Sequence, residues 1–516
     1  DMDKTVKRIA NEIETKNPIG IFGDYDVDGA TSAALLKLFL QYFGIEVHIH
    51  IPDRFLEGYG PNISALNSLV SKGSNLIITV DCGINSYEPL KELNKTNIDC
   101  IIIDHHTPDD DLPPAFSIVN PKRKENGIEY NYLSAVGVTF IMIVGLTREL
   151  RQRGIFEKIK EPNLFRFLDL VALGTVCDVV PLKGLNRCFV KAGLNIISQR
   201  KNLGINALCD ISDLNKIPDE ETLGYKLGPK INAAGRIGSS DIGVSLLISK
   251  DISKANELAS KLYQLNEKRK KLTNNSTLEA IGMVESEKNK IGKLPDFLFL
   301  VGENWNEGII GILAGKIKEK YNRPCCVISL GNNHSKGSAR SIANIPLGEY
   351  FLEALDKKLL VKGGGHDLAA GLTIENNKIQ MFKNFLISKV EHAFQENELV
   401  SEISVTSELS ISALNSDLME WIKKLGPWGQ GNPIPKFLIK DVIIKKLVFF
   451  GKEKQHLLVK VSDNSGVIDC KIFNINNNEF LSLLKKNKSL HLLVNLVSNE
   501  WNNKSNVEFN LIDIMT

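Results

Sequence analysis

Carboxylate and imidazole side chains gather at a few points of the chain where metal chemistry could be carried out. The densest group is the segment GDYDVDG at residues 23–29, in which every second residue is an aspartate. Carboxylates packed this closely repel one another unless cations lie between them, so the segment predicts a metal site. The candidate ligands, here and elsewhere in the chain, are Asp24, Asp26, Asp28, Asp81, His105 and Asp178.

The mixture of oxygen and nitrogen ligands indicates which ions would bind. Carboxylate oxygens with an imidazole nitrogen suit Mn²⁺ or Mg²⁺, and the histidine favours Mn²⁺. Two such ions could activate a water and neutralise a leaving phosphate oxygen. The alternative is a calcium loop of the EF-hand type, which needs a bidentate Glu at its twelfth position. Counting from Asp24, that position is Leu35, which disfavours the calcium loop.

The elements that would position these ligands form a parallel sheet. Apolar runs at 18–23, 45–51, 75–80, 99–104 and 116–120 predict buried strands, and helical segments at 31–43, 63–72 and 87–94 separate them. This alternation predicts an α/β, doubly wound domain. Asp24, Asp81 and Asp104 close three of the runs, and parallel strands present their carboxyl ends at one edge. We therefore expect these groups to meet there, together with Asp178, which ends a helical run within the mainly helical stretch at 132–200.

Three further regions follow. A Lys- and Glu-rich stretch from 252 to about 287 predicts a long connecting helix. A smaller α/β unit has strands at 297–302 and 325–330, helices at 308–321 and 378–395, and a glycine-rich loop at 362–371. Five or more short strands after residue 400 predict an OB-like β-barrel. The expected domains are therefore 1–210, a linker at 211–290, 291–398 and 399–516.

Candidate phosphate-binding residues lie outside the carboxylate cluster. Arg54 follows the second strand, where an arginine could bind phosphate bidentately. Arg236 follows small residues that let a backbone come close, and Ser338 with Arg340 offers a hydroxyl and a cation in one turn. His366 lies in the glycine-rich loop. Each motif alone is weak, because glycine loops are often only turns, and an ion pair with a neighbouring Asp53 or Glu57 is the alternative for Arg54.

Weaker signals for nucleic-acid binding occur in the other domains. The helix at 308–321 opens with glycines, and its N-terminus favours anions, although packing explains it equally well. The basic run at 268–271 is either a solvated face or the lining of a DNA channel. Aromatic and lysine side chains interleave in the predicted barrel, where they suit base stacking or belong to the core. They are Phe449, Phe450, Phe473 and Trp501, with Lys445, Lys446 and Lys471.

Net charge, cysteine spacing and hydropathy indicate which classes of protein the chain can belong to. The 516 residues carry 63 Lys and Arg against 61 Asp and Glu, a net charge of +2 that neither indicates nor excludes a nucleic-acid binder. Eight cysteines without a CxxC pair indicate buried thiols in a reducing compartment, which we expect to be the cytoplasm. No long apolar stretch predicts a membrane helix, and residues 1–8 show no signal-peptide pattern. A first residue of Asp instead of Met leaves open an upstream segment.

The dispersed ligands, with Asp104-His105-His106 at the end of the fourth strand, resemble the DHH phosphoesterase superfamily. The resemblance implies that Asp26, Asp28, Asp81, His105 and Asp178 hold two metal ions, with Asp81 bridging them and Asp24 at the loop edge. It implies that His106 lies beside the scissile phosphate. Pyrophosphatase relatives have a histidine ligand four residues before the position of Asp26. Here that residue is Phe22, which disfavours a pyrophosphatase.

The order of the domains resembles the RecJ-like exonucleases of this superfamily, with a DHHA1 domain after the long helix. This implies that Arg54, Ser338 and Arg340 bind the 5′ phosphate of a strand and that His366 lies over the metal centre. Arg236 stays a further phosphate-binding candidate from its own motif. Asp81, His106 and His366 are then the catalytic candidates.

The implied activity is 5′→3′ hydrolysis of single-stranded DNA to mononucleotides in recombination and repair, by a monomer. A single-strand-binding protein and a helicase are the partners that the family suggests. One rival is a phosphodiesterase for short oligonucleotides or cyclic dinucleotides. The other is a replication scaffold that keeps the fold without the metal site, which the intact ligand set disfavours.

Overall fold

The computed structural model describes residues 1–214, 217–396, 403–451, 454–472, 481, 484, 489–501 and 504–515. Within these ranges no helix is both long enough and apolar enough to cross a membrane. All eight cysteines are free thiols, and six of them are buried, as the absence of CxxC pairs predicts. The division of the chain into four domains at the expected boundaries stays a prediction.

The first sheet contains five parallel strands in the order β2-β1-β3-β4-β5, which confirms the predicted doubly wound domain. Its register aligns Gly23 with Val80 and Val80 with Ile103, so three strands end side by side. Every residue of the two central strands β1 and β3 is buried, as continuous apolar runs require. The strands are β1 Ile19–Gly23, β2 Val47–His50, β3 Leu76–Val80, β4 Asp99–Ile103 and β5 Ser117–Val119.

Helices cover both faces of this sheet because successive strand residues point to opposite sides. Ile21 and Ile78 pack on one side with the second helix and the helical stretch after residue 134, whereas Phe22 and Ile77 pack on the other with the third and fourth helices. The helices of this region are α1 Met2–Thr15, α2 Val27–Tyr42, α3 Ile63–Ser71, α4 Tyr87–Leu93, α5 Ala135–Gln152, α6 Leu168–Cys177, α7 Gly184–Ser198, α8 Leu203–Ile211, α9 Gly228–Ile237 and α10 Asp241–Leu247.

A long helix, α11 Ile252–Ile291, connects the first lobe to the second. The side chain of Asp251 caps its start by accepting from the Lys254 amide, and Gly292 ends it in the left-handed region with φ 79°. Forty residues span about 60 Å at the rise of an α-helix. The buried residues Leu258 and Leu262 belong to the core of the first lobe, and Ala280 and Val284 belong to that of the second. The helix therefore fixes one lobe against the other.

The second lobe is built on a mixed sheet in the order β6-β7-β8-β10-β9, in which only β6 and β7 are parallel. Two predictions are wrong here. The glycine-rich segment 362–371 is a β-hairpin, not a loop, and Ser338 with Arg340 lies on a strand, not in a turn. Backbone hydrogen bonds pair these small residues, which have no branched apolar side chains to reveal a strand. The elements are β6 Leu298–Gly302, α12 Ile310–Tyr321, β7 Cys325–Ser329, β8 His334–Arg340, α13 Leu347–Asp356, β9 Lys362–His366, β10 Ala369–Glu375 and α14 Ile379–Glu396.

The C-terminal strands form the predicted barrel. The order is β11-β12-β13-β14-β16-β15, and an additional pairing of β12 with β15 closes it. Phe449 is exposed, Phe450 lies against His456, and Phe473 together with the side chain of Trp501 falls outside the described residues. The elements are β11 Ser407–Glu408, α15 Ser416–Leu425, β12 Phe437–Phe450, β13 His456–Ser462, β14 Val467–Ile472, β15 Leu490–Trp501 and β16 Lys504–Met515.

A buried carboxyl group in the helical part of the first lobe makes stability pH-dependent. Asp169 on α6 is only 4% exposed, and burial raises its pKa to about 7. The unfolded chain has a pKa of about 3.9 at such a group. Between these two pH values the folded protein holds the proton more tightly, so this group lowers the free energy of unfolding as pH rises towards 7.

We expect Asp169→Asn to be more stable than the parent protein at pH 8, by about 2–4 kcal/mol, because the cost of ionising a buried carboxyl group is removed. Near pH 4 the difference should almost vanish. Urea denaturation at both pH values measures it, with the exposed Asp109→Asn as the control. A difference that does not change with pH would contradict this account of Asp169.

Candidate active site

Three strand ends bring carboxylates to one edge of the first sheet, as predicted. Asp24 follows β1, Asp81 follows β3 and Asp104 follows β4. Each remains tied to the neighbouring strand: the Asp24 amide donates to Val80 O at 3.3 Å, and the Asp81 amide donates to Ile103 O at 3.0 Å. Asp81 also has a left-handed backbone with φ 61°, which is uncommon for a residue other than glycine. The sheet therefore sets where these side chains start.

The loop that carries the alternating aspartates turns directly into α2. Asp26 is the N-cap of that helix, and its side chain accepts from the Gly29 amide at 3.0 Å. A Cβ at Gly29 would lie 2.5 Å from the backbone oxygen of Asp24, so the loop can close this tightly only around glycine. Asp28 is buried and accepts from the amides of Ala135 and Val136, the first residues of α5, at 2.6 and 2.9 Å.

His105 stands at the centre of the carboxylates. Its Nε2 lies 3.4 Å from Asp81 Oδ1, 3.5 Å from Asp178 Oδ2 and 4.0 Å from Asp28 Oδ2. Its Nδ1 is 3.1 Å from the carbonyl oxygen of Leu133, which can only accept, so Nδ1 carries the hydrogen. In the neutral ring Nε2 then presents a lone pair to the carboxylates, and burial lowers the His105 pKa to about 4, which favours that form.

Ligand atoms face one another across this space without partners of their own. Among the described residues, buried atoms without a hydrogen-bond partner include Asp24 Oδ1, Asp81 Oδ1, His105 Nε2 and Asp178 Oδ2. Buried polar atoms are normally satisfied, and here four acceptors converge with no donor between them. Cations would satisfy all of them, so the residues fit the divalent ions that their chemistry predicts. Three groups have ligand atoms within 4.8 Å of one another: Asp24, Asp26 and Asp81; Asp28, His105 and Asp178; and Asp81, His105 and His106.

Mutual repulsion in this cluster is visible in the acidities. Burial, with added repulsion from Asp26, raises the pKa of Asp28 to about 7. Burial and the charge of Asp28 raise the pKa of Asp178 to about 9. The pKa values of Asp24 and Asp81 are raised well above their usual range for the same two reasons. Without cations the site is electrostatically strained, and bound cations would reverse these shifts.

His106 occupies the open side of the cluster. Its Nδ1 is 2.8 Å from Asp104 Oδ1 and 3.1 Å from the hydroxyl of Tyr59, and its side chain is 42% exposed. Although burial opposes protonation, the hydrogen bond to Asp104 raises the pKa of His106 above its usual value. Asp104 itself accepts from the amides of His105, His106 and Ile84, which fixes it in place. Asp104 therefore orients His106 and is not free to act as a ligand.

A cationic cavity of about 350 Å³ lies where the two lobes meet. The four predicted phosphate-binding residues line it together, although they come from a loop, a helix and a strand far apart in sequence: Arg54, Arg236, Ser338 and Arg340. Arg340 donates to Ser338 Oγ at 3.1 Å, and Arg236 donates to the Gly308 carbonyl at 3.1 Å. Gly311, in the first turn of α12, completes the lining, so a helix N-terminus faces the cavity.

The guanidinium groups of this cavity repel one another as the carboxylates do. Among the described residues, Arg54, Arg236 and Arg340 form no ion pair with a carboxylate, and the predicted alternative for Arg54 is not seen: Glu57 binds His50 instead. Burial and the nearby Arg54 and Arg269 lower the Arg236 pKa to about 10. Cations held together without counter-charges form a ready phosphate site. Lys336, which also lines the cavity, is 3.2 Å from Glu307.

The metal-ligand loop at 23–29 and the cationic cavity meet where Arg54, which lines the cavity, contacts Tyr25 of the loop. The guanidinium of Arg54 lies over the ring of Tyr25, 5.1 Å from its centre, and Tyr25 stands between Asp24 and Asp26. Arg236 is close enough to influence the Tyr25 hydroxyl electrostatically. A phosphate bound in the cavity would therefore lie beside the loop that carries the metal ligands.

The structure brings the six predicted metal ligands and His106 together, and it gathers the four phosphate residues at one cavity. The three ligand groups do not include His366, which lies exposed at the end of β9, so its catalytic role stays a prediction. Sequence reasoning gave no role to Tyr25, Tyr59 or the Leu133 carbonyl. Nothing in the sequence marks a backbone oxygen as a support for histidine. Tyr25, in contrast, stands inside the GDYDVDG segment, and Tyr59 lies five residues after the candidate Arg54.

Known protein families match this chain over most of its length. Three family models match the chain: the DHH family N-terminal domain over residues 18–175, the DHHA1 domain over 295–394 and the RecJ OB domain over 405–513. The single-stranded-DNA-specific exonuclease RecJ of Haemophilus influenzae is 35% identical over 521 residues, which cover 96% of this chain and 90% of that protein.

Solved structures give the same result for the fold. RecJ from Thermus thermophilus in complex with Mn²⁺ matches with a TM-score of 0.84 and 26% identity, covering 100% of this chain and 71% of that one. The same organism's RecJ in complex with Mg²⁺ shares the fold, with a TM-score of 0.76 and 24% identity over 100% of this chain and 70% of that one.

Removing a repelling carboxylate should stabilise the metal-free protein. In EDTA, we expect Asp81→Asn to have a free energy of unfolding about 1–3 kcal/mol higher than that of the parent protein, because an unpartnered buried charge is lost. Its melting temperature should therefore be higher. The same variant should lose the rise in melting temperature that Mn²⁺ gives the parent protein.

The matched control is Asp104→Asn, which should melt at a lower temperature because its amide would face the Ile84 amide, a second donor. Thermal denaturation with EDTA and with Mn²⁺ measures both variants. The metal site would be refuted if Asp81→Asn melted at a lower temperature than its parent in EDTA and gained as much melting temperature from Mn²⁺ as the parent does.

Proposed function

We propose, from the premise that this chain belongs to the RecJ family of single-stranded-DNA-specific exonucleases, that it hydrolyses single-stranded DNA from the 5′ end and releases mononucleotides. We further propose that two divalent ions, Mn²⁺ or Mg²⁺, serve the reaction, and that the activity belongs to recombination and repair. A single-strand-binding protein, a helicase and a monomeric state stay expectations of the family resemblance.

One observation carries the proposal: a cavity of unpaired guanidinium groups adjoins the metal-ligand loop through Tyr25. An enzyme that cuts within a strand needs only a groove along the backbone. An enzyme that removes single nucleotides from an end needs a site for the terminal phosphate beside the site of cleavage. The cavity supports that second arrangement, because Arg54, Ser338 and Arg340 offer several donors to one phosphate group.

The metal ligands in this proposal are Asp24, Asp26, Asp28, Asp81, His105 and Asp178, the six that converge. When bound, the ions supply Lewis acidity, which lowers the pKa of water and neutralises charge on the phosphate. Asp28 is aimed by two backbone amides of α5, and His105 is aimed by the Leu133 carbonyl. These supports hold the ligand atoms in position before the ions arrive, so little reorganisation is needed during the reaction.

His106 is placed to act on the substrate. Asp104 fixes the hydrogen on Nδ1 and raises the pKa of the ring, so a protonated His106 can offer its Nε2 hydrogen to a phosphate oxygen. The positive charge of the protonated His106 ring would stabilise the negative charge that develops on the phosphate during in-line attack. His366 is proposed as a further contributor from the second lobe.

The decisive assay uses single-stranded oligonucleotides labelled at the 5′ or the 3′ end, with Mn²⁺ or with EDTA. We expect a 5′ label to appear at once as a mononucleotide and a 3′ label to shorten stepwise. Asp81→Ala should abolish hydrolysis, because it removes the proposed bridging ligand, and should leave DNA binding largely intact. Retained turnover in Asp81→Ala would contradict the scheme, and faster cleavage of a dinucleotide than of a long strand would favour a small phosphodiesterase.

The terminal-phosphate site gives a second test. We expect Arg340→Ala to lower kcat/KM on a 5′-phosphorylated strand by about 10–100-fold, the loss that follows when a hydrogen bond to a charged group is removed. On a 5′-hydroxyl strand the loss should be much smaller. Steady-state kinetics on both substrates measures this, with Arg323→Ala, a half-buried arginine of the same lobe that does not line the cavity, as the control. Equal losses on the two substrates would place the 5′ phosphate elsewhere.

A further inference from the structure

A short segment of the C-terminal region projects onto the first lobe. This segment, the C-terminal hook, comprises residues 425–432 between α15 and β12. It is braced internally, because the Gly429 amide donates to Asn432 O at 3.0 Å and the Asn432 amide donates back to Gly429 O at 3.1 Å. The Asn432 side chain also donates to Pro427 O at 2.8 Å, and Trp428 packs against the barrel core. The hook is thus a rigid extension of the barrel.

Three residues of the first lobe, Leu182, Arg187 and Glu220, dock the hook through hydrogen bonds. The Leu182 amide donates to Gln430 O at 2.6 Å, Arg187 donates to Leu425 O at 2.6 Å, and Glu220 accepts from the Trp428 amide at 2.6 Å. The surfaces are also in close contact. A Cβ on Gly429 would lie 2.9 Å from the Leu182 side chain, and one on Gly431 would lie 2.9 Å from that of Pro181.

The hook contacts the segment that follows a proposed metal ligand in the chain. This stretch, the connector, comprises residues 178–187, from the C-cap of α6 into α7, and Asp178 is its first residue. The next residue, Val179, has a left-handed backbone with φ 59°, which is rare for a β-branched side chain. Its side chain is 63% exposed, so its own packing does not hold that conformation. The strain persists only because the neighbouring residues are held, and the hook holds Pro181 and Leu182.

The connector is also tied to the support of a second ligand. The Asn186 side chain donates to Pro181 O at 3.1 Å and to Tyr132 O at 2.7 Å, and the Leu185 amide donates to the Tyr132 hydroxyl at 3.1 Å. The next residue along, Leu133, is the one whose carbonyl accepts from His105. Asp178, along the chain, and His105, through Leu133, are therefore both connected to the same partly buried hydrogen-bond network. The hook contacts that network at Pro181 and Leu182.

We propose that the C-terminal hook positions the metal ligands: by holding the connector, it keeps Asp178 and His105 in the arrangement that binds divalent ions. Arg187 and Glu220 are then positioning residues of the metal centre, although neither touches a ligand. The inference rests on the metal site put forward under Proposed function. Coupling of this kind is reciprocal, so Mn²⁺ binding should in turn tighten the docking of the hook.

The test compares the full-length double variant Arg187→Ala/Glu220→Ala with the parent protein. Mn²⁺ is titrated into each, and the unbound ion is followed by its electron paramagnetic resonance signal. We expect the dissociation constant of at least one Mn²⁺ to rise by about fivefold or more, the usual lower size of coupling between sites. Turnover at saturating Mn²⁺ should stay near that of the parent. The matched control is Glu221→Ala, which removes an exposed carboxylate next to Glu220.

A second variant separates positioning from general damage. Asn tolerates the left-handed region far better than Val does, so Val179→Asn added to the double variant should recover part of the Mn²⁺ affinity. Val179→Asn alone in the parent protein is the control, because the hook already holds the connector there and the Mn²⁺ dissociation constant should not change. Hydrogen exchange of the backbone amides in 426–432 shows whether the hook has undocked, and in the parent protein Mn²⁺ should slow that exchange.

Undocking with an unchanged Mn²⁺ dissociation constant would overturn the inference and leave the hook as a structural contact. So would a weakened affinity that Val179→Asn does not improve. Failure of the proposed function looks different: the parent protein itself would then bind no Mn²⁺, whatever the state of the hook.

Discussion

The structure depends on one electrostatic constraint: carboxylates that repel one another are buried together at the ends of three parallel strands. The raised pKa values of Asp28 and Asp178 show how strongly the protein disfavours these charges when no cation is present. Buried carboxylates that repel one another would separate if their side chains could turn away. They are prevented from doing so by the strand ends, the α5 amides that bind Asp28, and the carbonyl that orients His105.

A second cluster has the opposite sign and lies directly beside the first. Burial and the neighbouring guanidinium groups lower the Arg236 pKa, and a bound anion would relieve the repulsion between these groups as cations would relieve that between the carboxylates. One cluster belongs to the first sheet, whereas the other is completed by the second lobe, so α11 sets the distance between them. This opposition explains why a nucleic-acid enzyme can have a net charge of only +2: what matters is where the charges stand.

The C-terminal region belongs to the same arrangement. Its barrel suits single-stranded nucleic acid by its fold, and its hook reaches the connector that follows Asp178. Within the described residues, the barrel contacts the first lobe through the hook, and α11 packs against the cores of both lobes. A left-handed Val179 beside the proposed metal ligand Asp178 shows that local preference alone does not build this site.

The sequence alone determined the parts that depend on local pattern. Continuous apolar runs specified a parallel sheet, and the shared edge of such a sheet placed Asp24, Asp81 and His105 together. Short strands after residue 400 predicted the barrel, and a long Lys- and Glu-rich stretch predicted the connecting helix. The sequence did not reveal the hairpin at 362–371 or the strand under Arg340, because glycine and serine pair through backbone hydrogen bonds that leave no apolar pattern. Only the tertiary structure could show the carbonyl behind His105, the tyrosine between the two clusters and the hook on the connector. Those contacts join residues that are tens to hundreds of positions apart, and they are made largely by backbone atoms, which every sequence shares.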